Sequence, residues 1–152
     1  MGALKRDELR ETLVSLRRQL VQAFRPDTAA QGFPGQVPSS GHCAAVATIV
    51  HELLGGEIIS TLVAGHSHWL NRVRIDDRPL DIDLTGDQFG RPALQVEEAG
   101  QLYSDVRVRE TAELAEETLR RALLLAERAK LLDAARGIEA TLMRRSGTQG
   151  SP

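Results

Sequence analysis

Apolar residues recur three and four apart over residues 5–24, at Leu9, Leu13, Leu16, Leu20 and Phe24, with Arg, Glu and Gln between them. This spacing predicts an amphipathic helix that lays one stripe on a core. Pro26 stops it, and Gly32, Pro34, Gly35 and Pro38 predict a loop up to Ser40. From Cys43 through Leu54 apolar residues are nearly continuous and no charge appears before Glu52, a pattern for a buried central helix closed by Gly55-Gly56. Residues 58–63 are rich in β-branched side chains, and residues 69–75 alternate, so both predict strands. Asp76-Asp77 makes a polar turn, and residues 78–84 return as a partner strand, with Pro79 placing its first part at an edge or just outside the ladder. A last strand is expected within residues 102–108. From Thr111 to Arg145, Leu114, Leu119, Ala122, Leu125, Ala129, Leu132, Ile138 and Leu142 are set among Glu and Arg, predicting one long helix or two with Gly137 as the break. Its Ala-rich stripe suits packing across the domain or a homodimer contact. Residues 146–152 are small and polar and predict a disordered tail.

A chain of 152 residues fits one domain, here residues 1–145. Apolar residues make up 41% and aromatic ones only 3%, so the core must be aliphatic, which favours helices on a modest sheet and an α+β class. A net charge of -2 gives no general attraction to nucleic acid or anionic lipid. No secretory signal and no run long enough to cross a bilayer is present, so a cytoplasmic location is expected. The single cysteine, Cys43, allows no internal disulfide.

Cys43 stands at the head of the central helix. There, unpaired backbone N–H groups and the positive end of the helix dipole favour a thiolate, and the Cys43 N–H can serve as an oxyanion donor. Gln36, across the preceding loop, is the candidate second donor. A two-residue hairpin loop pairs Ile75 with Arg78 and Leu70 with Asp83. That register puts His68 and Asp83 diagonally on one face, where the carboxylate can orient the imidazole. A slip of one residue would separate them. Blander roles exist for each: Cys43 as a packed small hydrophobe, Asp83 as a turn cap, Gln36 as a loop hydrogen-bonder. Cys43 with His66 and His68 also has the donor types of a zinc triad, without the multi-cysteine spacing of a recognisable metal site. No phosphate loop, dinucleotide fingerprint or His-Glu-x-x-His array occurs, and no cofactor is implied.

Three blocks in order, Gly41-His42-Cys43-Ala44-Ala45 through Gly55-Gly56-Glu57-Ile58, Ser67-His68-Trp69-Leu70-Asn71-Arg72, and Asp83-Leu84-Thr85-Gly86-Asp87-Gln88-Phe89, resemble the YunG-like family of small bacterial proteins. That resemblance implies a reduced papain-like or transglutaminase-like thiol fold, with a Cys-bearing helix packed on a small antiparallel sheet. It further implies catalytic roles for Cys43, His68 and Asp83, and places Asn71, Arg72, Gln88 and Phe89 in a substrate groove or behind the reacting groups. The chain departs from the family pattern at Gly86, where a basic residue is expected. The expected activity is thiol-dependent hydrolysis or acyl transfer on an amide or thioester, with a protein or peptide as a candidate substrate. The alternative is a non-catalytic protein-interaction module with an inert Cys43 and an exposed apolar patch between Leu114 and Leu142.

Overall fold

In a computed structural model, residues 6–30, 37 and 39–150 are described, the last three without their side chains. Helix α1 (Arg6–Ala23) buries Leu9, Leu13, Leu16 and Leu20, the stripe its spacing predicts. Helix α2 (Cys43–Leu54) buries seven of its first eight residues, Ala44 excepted, and ends at Gly55, whose N–H closes on the His51 carbonyl. Strands β1 (Glu57–Val63), β2 (His66–Ile75), β3 (Arg78–Asp83), β4 (Gln95–Glu98) and β5 (Arg107–Arg109) form one antiparallel sheet in the order β4-β3-β2-β1-β5. Helices α3 (Glu116–Arg128) and α4 (Leu132–Gly150) complete the domain.

Strand alternation divides the sheet into two faces. Ile58, Val73, Ile75, Leu80, Ile82 and Val96 point to one side and join the four helices in the main core. Ile59 and Leu70 point to the other and pack with Leu102 and Tyr103 in a second, smaller cluster. The fold is thus α+β, helices against a five-stranded antiparallel sheet, with the lone cysteine at the start of the helix nearest the sheet.

The hairpin turn is as expected: Asp76 and Asp77 both take positive φ, 51° and 63°, the geometry that matches a two-residue turn to strand twist. The ladder runs in the expected register from Ile75↔Arg78 to Asn71↔Ile82. Pro79, however, lies in a central strand, not at an edge. Its carbonyl accepts the Ala99 N–H at 3.0 Å, so its missing N–H also faces the β4 side, beyond the last rung Leu80↔Glu98. No ladder bond is lost there.

Three other expectations are corrected. The strand looked for in residues 102–108 shrinks to β5, and β4 appears where no strand was expected, because Val96 is its only buried residue. The C-terminal helices part at Lys130, φ 62°, and not at Gly137. The Leu131 N–H reaches the Ala126 carbonyl and the Lys130 N–H that of Glu127, a Schellman end built on lysine instead of glycine. Gly137 lies inside α4, where a Cβ would meet only the movable carboxylate end of the Glu52 side chain of α2. Finally, α4 runs through Ser146 to Gly150 in place of a disordered tail: once a helix is nucleated, each added residue needs little. The apolar stripe of α3 and α4 packs inward, with Leu114, Leu119, Leu125, Ile138 and Leu142 buried and Leu132 exposed. No helix among the described residues is long and apolar enough to cross a membrane.

Candidate functional site

The loop that delivers Cys43 is held at several points. Gly41, at φ 78°, donates its N–H to Gln88 Oε1 at 2.9 Å and accepts the Ala30 N–H at 2.8 Å, in a backbone conformation that side chains rarely adopt. The Ser39 hydroxyl donates to Asp87, whose other oxygen takes Arg17 Nη2 at 3.1 Å. His42 is buried against Phe24, ring centroids 4.2 Å apart. Its Nδ1 faces the Ser40 carbonyl at 3.1 Å and its Nε2 the Thr28 hydroxyl at 2.7 Å. A carbonyl can only accept, so Nδ1 carries the ring proton; the Thr28 hydroxyl stands between His42 Nε2 and the Arg25 carbonyl, 2.8 Å away, with one proton for the two acceptors. Burial holds the His42 pKa below its ordinary value, as suits a neutral structural ring.

Cys43 follows as the first residue of α2, 7% exposed, with no side chain at the N-cap bonded to the first-turn N–H groups. Its sulfur lies 3.9 Å from the Ser67 carbonyl on β2. The Asn71 amide, on the helix-facing side of the same strand, donates to the Ala47 carbonyl at 2.9 Å and so pins α2 to the sheet.

His68 and Asp83 are both fully buried, and His68 Nε2 donates to Asp83 Oδ2 at 2.7 Å. Asp83 also accepts the Tyr103 hydroxyl at 3.0 Å on Oδ2 and the Thr85 N–H at 3.0 Å on Oδ1. The last bond is the turn cap expected as the blander role of Asp83, so one carboxylate closes the turn and orients the histidine. Phe89 meets the His68 ring edge-on at 4.9 Å, and Tyr103 does so at 5.5 Å. Burial opposes charge on this ring, but the Asp83 hydrogen bond, the Cys43 side chain and the Asp83 charge outweigh it and push the His68 pKa up to about 9. His68 Nδ1 is buried without a hydrogen-bond partner, an atom whose isolation carries a penalty unless something engages it.

The residues assigned by resemblance to a groove have defined partners. Asn71 bridges to α2 as described. Arg72 holds the buried Asp81 by two bonds, 2.7 and 3.1 Å, on the opposite sheet face, and Asp81 in turn takes the Gly100 N–H at 2.9 Å. Gln88 links the Gly41 N–H to the Thr85 carbonyl, tying the loop before Cys43 to the turn after Asp83. Gln36 lies outside the described residues. At Gly86 a Cβ would sit 2.7 Å from the Pro92 carbonyl, which is why the basic residue expected there has no room. His66 is exposed, and no group of three His, Cys, Asp or Glu side chains among the described residues is disposed to hold a metal ion. A hollow of about 340 Å³ lies beside Ser67, lined also by Ser60, Leu62, Asp105, Arg107 and Arg109.

Tyr103 was not identified from the sequence. The only signal it offers there is that it is the chain's single tyrosine.

A family model described as YunG protein matches residues 12–131. No curated protein and no solved structure matches the chain.

Proposed function

The chain belongs to the YunG family, and from that membership and the site geometry we propose that it is a thiol-dependent hydrolase or acyltransferase acting on an amide or thioester through Cys43, His68 and Asp83. The observation that carries this reading is the buried 2.7 Å bond from His68 Nε2 to Asp83, which leaves Nδ1 as the ring atom available to the thiol. The Cys, His, Asp order on a helix start and an antiparallel hairpin also supports a papain-like or transglutaminase-like core.

His68 Nδ1 takes the Cys43 proton, and Asp83 stabilises the imidazolium. The sulfur attacks the carbonyl carbon, the C=O electron pair moves onto oxygen, and the N–H groups at the start of α2 stabilise that charge. The intermediate collapses as the leaving group departs with the His68 proton, giving an acyl thioester. Water, losing a proton to His68, then attacks and releases the acid; an amine in its place yields the transfer product.

The low exposure of Cys43 favours a second reading, a non-catalytic interaction module of the same fold, in which the thiol is core packing. Iodoacetamide labelling of Cys43 in the folded protein decides between them. The catalytic reading expects labelling to be rapid already near pH 6.5, about two units below the ordinary thiol pKa, and to slow on the order of 100-fold in His68→Ala. Labelling that becomes appreciable only on unfolding would overturn it.

A further inference from the structure

The strand order requires the chain to cross the sheet between β4 at one edge and β5 at the other. Four strand spacings amount to ~19 Å, and the nine steps from Glu98 to Arg107 reach ~30 Å when extended, so the segment makes the crossing with limited slack. The segment passes over the face away from the helices, where Leu102 and Tyr103 join Ile59 and Leu70. It is fastened at its start by the Gly100 N–H on Asp81 and along its course by Arg91 Nη1 on the Leu102 carbonyl at 3.2 Å. Tyr103 therefore meets Asp83 on a braced segment, 8% exposed, with the Arg91 guanidinium 4.3 Å over its ring.

We propose that Tyr103 is a positioning residue that limits how tightly Asp83 holds the His68 proton. This rests on the reading of His68 and Asp83 as the acid-base pair. Tyr103 donates to Oδ2, the same oxygen that accepts from His68 Nε2. A donor on a carboxylate oxygen draws off part of its negative charge, so the imidazolium beside it is less firmly held and can release its proton to a leaving group. Burial and the Asp83 charge raise the phenol pKa, so the hydroxyl stays a donor throughout the working range. Arg91, stacked on the ring, opposes that rise and keeps the phenol a better donor.

The test is the titration of the His68 ring nitrogens by NMR in Tyr103→Phe, which retains the ring and removes the hydroxyl. The His68 pKa should rise by at least half a unit, with a smaller rise in Arg91→Gln, which leaves the hydroxyl in place. An unchanged or lowered pKa in folded Tyr103→Phe would overturn the proposal, because a residue that only packs would not raise it. Iodoacetamide labelling of wild-type Cys43 is run alongside. Slow wild-type labelling sinks the catalytic reading, whereas rapid labelling with an unmoved His68 pKa sinks the role of Tyr103 alone.

Discussion

His42 and His68 are both buried, at 2% and 0% exposure, and each has a 2.7 Å hydrogen bond at Nε2. Their ionisation nevertheless moves in opposite directions. His42 faces a hydroxyl and a carbonyl, and burial lowers its pKa; His68 faces a carboxylate that outweighs a similar burial and raises it to about 9. Depth alone does not decide the charge of a buried histidine. The partner does, and here the partner on β3 separates a structural ring in the loop from a ring poised for proton transfer in the sheet.

The comparison is broken most strongly by Asp83→Asn. Without the carboxylate, His68 should behave like His42, with a pKa below about 6.5. Cys43 labelling near neutral pH should fall on the order of 100-fold or more, and the protein should lose about 3 kcal/mol in urea unfolding, because the buried ring and the Tyr103 hydroxyl lose a charged acceptor.

The pH dependence of wild-type stability sharpens the contrast. Folded His68 keeps its proton up to about pH 9, whereas the unfolded ring releases it near pH 6.5. Between those values the folded ring holds a proton that the unfolded ring has released, so its own stabilising contribution, present below pH 6.5, is lost as pH rises through 9, and the proton that Cys43 gives to this ring offsets part of that loss. His42 acts the other way: its folded pKa is lowered, and its contribution disappears as the pH falls below 6.5. Urea unfolding at pH 5.5, 6.5 and 9 should show a maximum at the middle value. Stability that climbs towards pH 9 would contradict the assignment.

Thr28→Val should have the smallest effect. It leaves His42 Nε2 without its hydroxyl, destabilising by about 1–2 kcal/mol, while Cys43 labelling stays within about twofold.

The parts of the site visible in the sequence are those fixed by local pattern. The apolar run ending at Gly55-Gly56 marks α2 at both ends, and a two-residue turn at Asp76-Asp77 determines the register that brings His68 to Asp83. What the pattern did not reveal depends on strand order or distant partners. Strand β4 buries a single side chain, so it has no alternation to recognise. The break at Lys130 uses a left-handed residue without the usual glycine. Tyr103 reaches Asp83 only because β4 and β5 occupy opposite edges, and no spacing along the chain encodes that. The anchoring of His42 likewise involves Thr28, across a loop with no repeating pattern.

The most direct test of the account is the NMR titration of both histidine rings in the wild-type protein from pH 5 to 10. The account predicts that His68 remains an imidazolium through neutral pH and loses its proton near 9, while His42 stays neutral down to below 6.5. A neutral His68 at pH 7 would contradict it, since Asp83 would then not be holding the charge on which the activation of Cys43 depends.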